Sequence, residues 1–285
     1  MKQIHWYPGH MAKTKKEIIE KVKLVDIVLE ILDARIPFSS QNPVMNSLIG
    51  NKPRIVLFNK ADLSDYNELD KWVEYFENKG IKSLKINAIT GQGLDKILPL
   101  MKVMLKEKIE KELSRGRTTR ALRTMILGIP NVGKSTLINK LANKKKLVTA
   151  DRPGVTRQTQ YIRVGKDFEL LDTPGILWPK FEDNDVAFKL ALTGAIKDNI
   201  LPTDDVCIYG FKYLDKHYRG RLESRYDITV DIDNPVDIYD QIGIRRGCLL
   251  RGNEIDYDRV SELFLHEFRH QKLGKLILDR VSDHV

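Results

Sequence analysis

Residues 128–135 read Gly128-Ile129-Pro130-Asn131-Val132-Gly133-Lys134-Ser135, a G-x-x-x-x-G-K-S stretch. Ahead of it, Thr124-Met125-Ile126-Leu127 is a short apolar run of the kind that forms a buried strand. Behind it, Thr136-Leu137-Ile138-Asn139-Lys140-Leu141 spaces its apolar residues as a helix does. A strand, a glycine loop and a helix in that order make an anion cradle. Glycines let successive backbone N–H groups curl round a phosphate, and the helix adds its unsatisfied N–H groups and positive dipole end. Lys134 is expected to reach the β- and γ-phosphates, and the Ser135 hydroxyl to ligand Mg²⁺. Asn131, Val132, Gly133 and Thr136 complete the expected contacts of this loop with a nucleotide.

A second signal lies well upstream. Arg54-Ile55-Val56-Leu57-Phe58 reads as a strand and delivers Asn59-Lys60-Ala61-Asp62 at its carboxyl end. This N-K-x-D pattern suits the reading of guanine. A carboxylate at Asp62 accepts two hydrogen bonds, from guanine N1–H and its exocyclic amine, whereas adenine presents an unprotonated N1. A site built for paired bonds rejects the mismatched base strongly. Asn59 is expected to bridge the base-reading loop and the phosphate loop, with the Lys60 stem over the ring and Ala61 beside it. Asn87-Ala88 resembles the S-A-x motif whose backbone also contacts guanine, with Asn87 in place of serine.

Two further motifs follow the phosphate loop. Asp151-Arg152-Pro153-Gly154-Val155-Thr156 has the composition of a switch in which Thr156 ligands Mg²⁺. Asp172-Thr173-Pro174-Gly175 is a D-x-x-G motif. There Asp172 is expected to hold Mg²⁺ through water, and the Gly175 N–H to touch the γ-phosphate.

At 285 residues, 42% apolar and 31% charged, the chain has the composition of a soluble globular protein. No apolar run approaches the ~20 residues of a membrane span, and the opening lacks the apolar core of a signal peptide. Cys207 and Cys248 stand far apart with no metal-ligand spacing, which makes a reduced, cytoplasmic setting the default. The net charge of +9 is uneven: residues 1–177 carry +13 and residues 178–285 carry −4. Either a polyanionic partner met by the first part or ordinary solubilising charge accounts for that.

Other elements read coarsely. Ile18, Ile19, Val22 and Val25 mark an amphipathic helix, Asp26–Asp33 a buried strand, Asp70–Lys79 a helix and Ser83–Ile86 a strand. Leu94–Leu113 predicts one long helix. Ala187–Asn199 and Val260–Asp279 predict helices, with breaks at Pro202, Pro235 and Arg246-Gly247.

The base-reading motifs thus precede the phosphate loop, the reverse of the usual order. A parallel sheet tolerates this, because termini can open at an exposed loop while strands keep their neighbours. The order N-K-x-D, N-A, G-x-x-x-x-G-K-S, T, D-x-x-G resembles the circularly permuted GTPases. Trp6-Tyr7-Pro8-Gly9-His10-Met11, Asp33-Ala34-Arg35-Ile36-Pro37 and Ile176-Leu177-Trp178-Pro179 bring the resemblance closest to bacterial ribosome-assembly members of that family.

The resemblance implies an α/β fold, a circularly permuted P-loop GTPase domain over residues 1–178 and a mostly helical RNA-binding domain over 179–285. It implies hydrolysis of GTP to GDP and phosphate, stimulated by the ribosome, in an assembly factor for the large (50S) subunit. Such a factor binds ribosomal RNA in the GTP state and leaves after hydrolysis. A nucleotide-gated RNA-binding module with incidental hydrolysis is the alternative, and Asp62 argues against a small-molecule phosphotransferase. The glutamine that usually follows the D-x-x-G glycine is Ile176 here, which cannot order a water. The resemblance implies His10 as the catalytic residue, and Asn131 resembles the asparagine with which some GTPases bind K⁺. Arg269, His270, Lys272, Lys275 and Arg280 make either an RNA-facing patch or a solvated face.

Overall fold

A computed structural model describes residue 16 and residues 18–116, 121–142, 160–164, 168–172 and 183–284. Its described strands are β1 (Ile27–Asp33), β2 (Arg54–Asn59), β3 (Lys82–Lys85), β4 (Leu122–Leu127), β5 (Gln160–Val164) and β6 (Phe168–Asp172). They form one sheet in the order β3-β2-β1-β4-β6-β5. All neighbours run parallel except β5, which is antiparallel to β6. The chain runs outward from β1 through β2 to β3 on one side; on the other it passes from β4 to the edge strand β5 and returns to β6 beside β4. The reversal falls between β1 and β4, so a crevice opens there at the carboxyl ends of the strands, where ligands of such sheets bind.

β1 is buried at every position, as a strand covered on both faces must be. Ile27, Leu29 and Ile31 pack into one apolar cluster, with helices α3 (Ile97–Met104) and α5 (Lys134–Ala142). On the other face, Val28 joins Ile18, Val22, Val25 and helix α1 (Met45–Ile49), while Leu32 joins helix α2 (Tyr66–Asn78). Helix α2 begins four residues before its expected start because Asp65 caps it, accepting from the Asn67 N–H at 3.1 Å. The long helix expected over 94–113 is instead a 3₁₀ turn, α3 and α4 (Lys106–Ser114), divided at Leu105. Leu105 is buried whereas α4 buries no residue. The core therefore holds the chain as far as Leu105, and the polar turns beyond follow solvent.

Residues 183–284 are mostly helical: α6 (Asn184–Leu192), α7 (Thr203–His217), α8 (Arg221–Tyr226), α9 (Pro235–Arg246) and α10 (Tyr257–Arg269). Phe211 of α7 meets Phe264 of α10 edge-on, with ring centroids 4.6 Å apart. The breaks read at Pro202, Pro235 and Gly247 stand at helix ends. Two expected helices are shorter than their apolar spacing. The first stops at Leu192, two residues before Gly194 takes φ +74°. The second stops at Arg269, where Gln271 at φ 62° and Gly274 at φ +85° turn the chain. Apolar spacing continues past the first point because Ala195 and Ile196 stay buried after the turn, and past the second because Leu273, Leu276, Ile277 and Leu278 are buried in a returning tail.

That tail crosses back to the sheet. Ile277 enters the cluster of Leu32, Phe58 and Trp72. Trp72 Nε1 donates to the Asp279 carbonyl at 2.9 Å. The buried Asp279 carboxylate accepts from the Ser39 N–H at 2.6 Å and hydroxyl at 2.9 Å, with Lys189 Nζ at 3.1 Å. Burial alone would raise this carboxyl; the His284 ring, Lys189 and the Ser39 N–H outweigh it and hold it below its ordinary value. A depressed native value means that the carboxylate stabilises the fold above pH ~4 and loses that contribution as pH falls. Asp279→Asn should cost about 2 kcal/mol in urea unfolding at pH 7, since the buried Lys189 then keeps only the partly exposed Asp185 carboxylate as its counter-charge. The difference from wild type should hold down to about pH 4 and shrink as pH falls further, and a difference that stays constant below pH ~4 would contradict the ionised state.

Candidate nucleotide-binding site

The phosphate loop leaves β4 at the sheet's reversal point. A Cβ at Gly128 would stand 2.6 Å from the Ile31 carbonyl, so only glycine lets the loop base lie this close to β1. Asn131 at φ 57° and Gly133 at φ +103° then turn the backbone into a curl. Lys134 is buried and donates to the carbonyls of Gly128 at 3.2 Å and Ile129 at 2.8 Å. Ser135 and Thr136 follow in the first turn of α5, where N–H groups have no helical partner.

Asn59 ends β2 on the same edge. Its Nδ2 donates to the Val132 carbonyl at 2.8 Å, and its Oδ1 accepts from the Ala88 N–H at 2.9 Å. One buried amide thereby joins the N-K-x-D loop, the phosphate loop and the Asn87-Ala88 loop. A Cβ at Gly133 would collide with that amide, which gives this glycine a role beyond the curl. Asn87 acts within its own loop: its Oδ1 accepts from the N–H groups of Ile89 at 2.8 Å and Thr90 at 2.9 Å. Ala61 N–H donates to the Ile86 carbonyl at 3.2 Å. Asp62, half-buried in the 3₁₀ turn Ala61–Leu63, receives no hydrogen bond on its carboxylate from the described residues.

Lys60 takes φ 60°, and its Nζ donates to Asp33 Oδ2 at 2.9 Å and to the Asn131 carbonyl at 3.1 Å. Asp33 lies buried at the end of β1 and also receives the Arg35 guanidinium through Nε at 2.9 Å and a terminal nitrogen at 2.7 Å. Burial would raise this carboxyl, but Arg35 and Lys60 together hold it well below the carboxylate range. In the sequence, Asp33 and Arg35 stood out only as part of a motif. The signal that could have found their roles is a carboxylate and an arginine two residues apart after an all-apolar strand.

The sheet register sets Asp172, at the end of β6, opposite Gln160. This brings the start of D-x-x-G to the same edge as the phosphate loop. His10, Thr156 and Gly175 lie outside the described residues. Arg269 and Arg280 of the basic cluster are engaged within the chain, with Asp198 at 2.5 Å and Glu68 at 3.2 Å. Lys275 stands 4.0 Å from the centre of the Tyr66 ring.

A largely parallel sheet with a glycine–lysine loop at its reversal point, tied by Asn59 to the N-K-x-D loop of an earlier strand, defines a circularly permuted P-loop GTPase. Comparison with known proteins narrows the class. A family model described as "50S ribosome-binding GTPase" matches residues 123–219, a span that starts at the phosphate-loop strand and leaves N-K-x-D outside. The chain is 51% identical over 280 residues to Ribosome biogenesis GTPase A of Bacillus licheniformis, covering 98% of this chain and 99% of that protein. The Bacillus cereus protein of that name is 52% identical, over 97% of this chain and 93% of its own length. GNP-bound YlqF from T. maritima superposes with a TM-score of 0.66 at 29% identity, covering 94% and 98% of the two chains. The chain belongs to the ribosome biogenesis GTPase A family and is a GTPase.

Asn59→Ala removes both bonds and leaves the buried Val132 carbonyl and Ala88 N–H without them. It should destabilise the protein by about 1–3 kcal/mol and weaken GDP binding at least about tenfold. Thermal melts and calorimetric titration with GDP measure the two effects, and an unchanged affinity would separate Asn59 from the site.

Proposed function

We propose that this GTPase is an assembly factor for the large (50S) ribosomal subunit, acting in the cytoplasm. It docks on pre-ribosomal RNA with GTP bound and leaves after hydrolysis. The observation that carries this reading is the near-full-length likeness to proteins named for ribosome biogenesis, joined to an intact guanine-reading loop. The +13 charge of residues 1–177 suits contact of the GTPase domain with RNA phosphate, while the −4 of residues 178–285 confines any RNA contact of the helical domain to local basic side chains. Among the described residues, no helix is long and apolar enough to cross a membrane. Residues 1–178 act as the GTPase domain and 179–285 as the helical domain that meets RNA.

In this reading Asp62 takes both guanine donors, Lys60 and Ala61 lie along the base, and the Asn87-Ala88 loop closes its far edge. Lys134, with the N–H groups of Asn131–Thr136 and Gly175, holds the phosphates. Ser135, Thr156 and Asp172 are the residues that would hold Mg²⁺. Hydroxyl and carboxylate oxygens suit so hard an ion, and Ser135 stands in the first turn of α5, beside the phosphate cradle. When bound, the ion offsets charge on the β- and γ-phosphates. Asn131 donates through Nδ2 to the Gly194 carbonyl at 3.0 Å, so its Oδ1 remains the atom that would meet K⁺.

Hydrolysis needs an ordered water, and Ile176 cannot supply the hydrogen bond. His10 takes that role, with Pro8-Gly9 before it as a hinge. His10→Ala should lower GTP turnover about 10- to 100-fold in the presence of large subunits, with nucleotide affinity within about twofold of wild type. Turnover measured in K⁺ and Na⁺ at equal ionic strength should favour K⁺; equal rates would remove Asn131 from cation binding. Co-sedimentation with purified subunits tests the assignment itself. Association with large subunits in a non-hydrolysable GTP analogue and release in GDP are expected, and equal association with small subunits would overturn it.

A further inference from the structure

The helical region reaches the guanine-reading loop directly. Gln271, just past the end of α10, donates through Nε2 to the backbone carbonyl of Asp62 at 3.2 Å. One residue on, the Leu63 carbonyl accepts from the Leu276 N–H at 3.2 Å. Two successive carbonyls of the loop that presents the Asp62 side chain are therefore held from residues far along the chain. Upstream, the Arg35 carbonyl accepts from the Leu278 N–H at 2.7 Å, and the Ser64 hydroxyl donates to the Ala34 carbonyl at 2.7 Å.

The phosphate loop is held from the same side. Asn131 Nδ2 reaches the Gly194 carbonyl, and Arg35 donates to the Thr193 carbonyl at 3.2 Å. Arg269 fixes that turn in place through the carbonyls of Leu192 at 3.2 Å and Ala191 at 2.8 Å. The turn after α6 and the residue after α10 thus form a clasp on both nucleotide loops. Its two ends are linked by Arg269, two positions before Gln271.

We propose that Gln271 is a positioning residue for guanine recognition: by holding the Asp62 carbonyl it fixes the aim of the Asp62 carboxylate at the base. Gln271 does not itself touch nucleotide. Its left-handed φ of 62° and its side-chain bond together set where the Asp62 peptide sits, and the carboxylate stands on that peptide. Coupling is reciprocal: whatever draws α10 or the tail away loosens guanosine nucleotide, and bound nucleotide tightens the clasp by the same factor. The inference needs only the GTPase site and not the ribosomal reading, so purified protein and nucleotides suffice to test it.

Inosine diphosphate lacks the exocyclic amine and engages one of the two Asp62 bonds, whereas GDP engages both. The ratio of GDP to IDP affinity therefore reports how well the carboxylate is aimed, and general loosening of the fold lowers both affinities alike. In Gln271→Ala the full-length protein should bind GDP about 3- to 10-fold more weakly and IDP less so, lowering the ratio about threefold. Gln271→Glu, which sets an acceptor against the carbonyl, should lower the ratio at least as far. If Gln271→Ala does not fold, Gln271→Asn takes its place: asparagine tolerates the left-handed backbone but is one methylene too short to reach. An unchanged ratio in a folded variant overturns the proposal, whatever happens to the separate affinities.

Discussion

One side-chain amide holds this site together. Asn59 has a donor and an acceptor, and both are used inside the protein, on the Val132 carbonyl and the Ala88 N–H. With the N-K-x-D loop after β2 to which Asn59 belongs, those atoms join loops that leave three different strands. Because the amide is buried, each bond lost would leave a polar backbone group without water to replace it. The three loops are therefore fixed relative to one another before any nucleotide arrives. Such preorganisation is what lets a pocket read a base by two hydrogen bonds. Gly133 supports the arrangement by having no Cβ to displace the amide.

Around this centre sits a buried charge cluster. Asp33 receives Arg35 and Lys60 at once, and those two cations keep it ionised in a place where burial favours the neutral acid. A buried pair stabilises only when its geometry is good and its other polar atoms are satisfied. Here the second guanidinium contact is the Thr193 carbonyl, and the second Lys60 contact is the Asn131 carbonyl. The cluster thus stitches the end of β1 to the phosphate loop and to the turn after α6. Asp279 does the same further out, its carboxylate binding Ser39 and Lys189 while its backbone carbonyl accepts from Trp72 Nε1. Nucleotide loops and helical region share these ionic and polar ties, and one apolar cluster extends from the sheet through α6 to α10.

Much of the site was legible in the order of residues along the chain. The phosphate loop, N-K-x-D and D-x-x-G each carry a local spacing that chemistry demands; the first two follow strand ends as expected, and Asp172, the first residue of the third, ends β6. The helical breaks at Pro202, Pro235 and Gly247 were legible for the same reason, since proline and glycine act on their own backbone. Apolar periodicity served less well at helix ends. Leu105 divides one expected helix because the core holds that residue and leaves the polar turns of α4 to solvent. Leu276, Ile277 and Leu278 continue an apolar pattern after α10 has ended, because Ile277 packs with Leu32 and Phe58 of the sheet while its two neighbours enter the cluster shared by sheet and helices.

Strands β1 to β4 and the curl of the phosphate loop follow from residue order alone, because apolar patterning and backbone strain are properties of neighbouring residues; the edge strand β5 carried no such signal. That Asn59 serves Val132, that Arg35 reaches Thr193 and that Gln271 holds the carbonyl of Asp62 emerges from the folded molecule alone. These partners are separated by 73, 158 and 209 positions along the chain. No local pattern encodes such a pairing. It exists because burying the strands and helices leaves only certain polar groups within reach of one another.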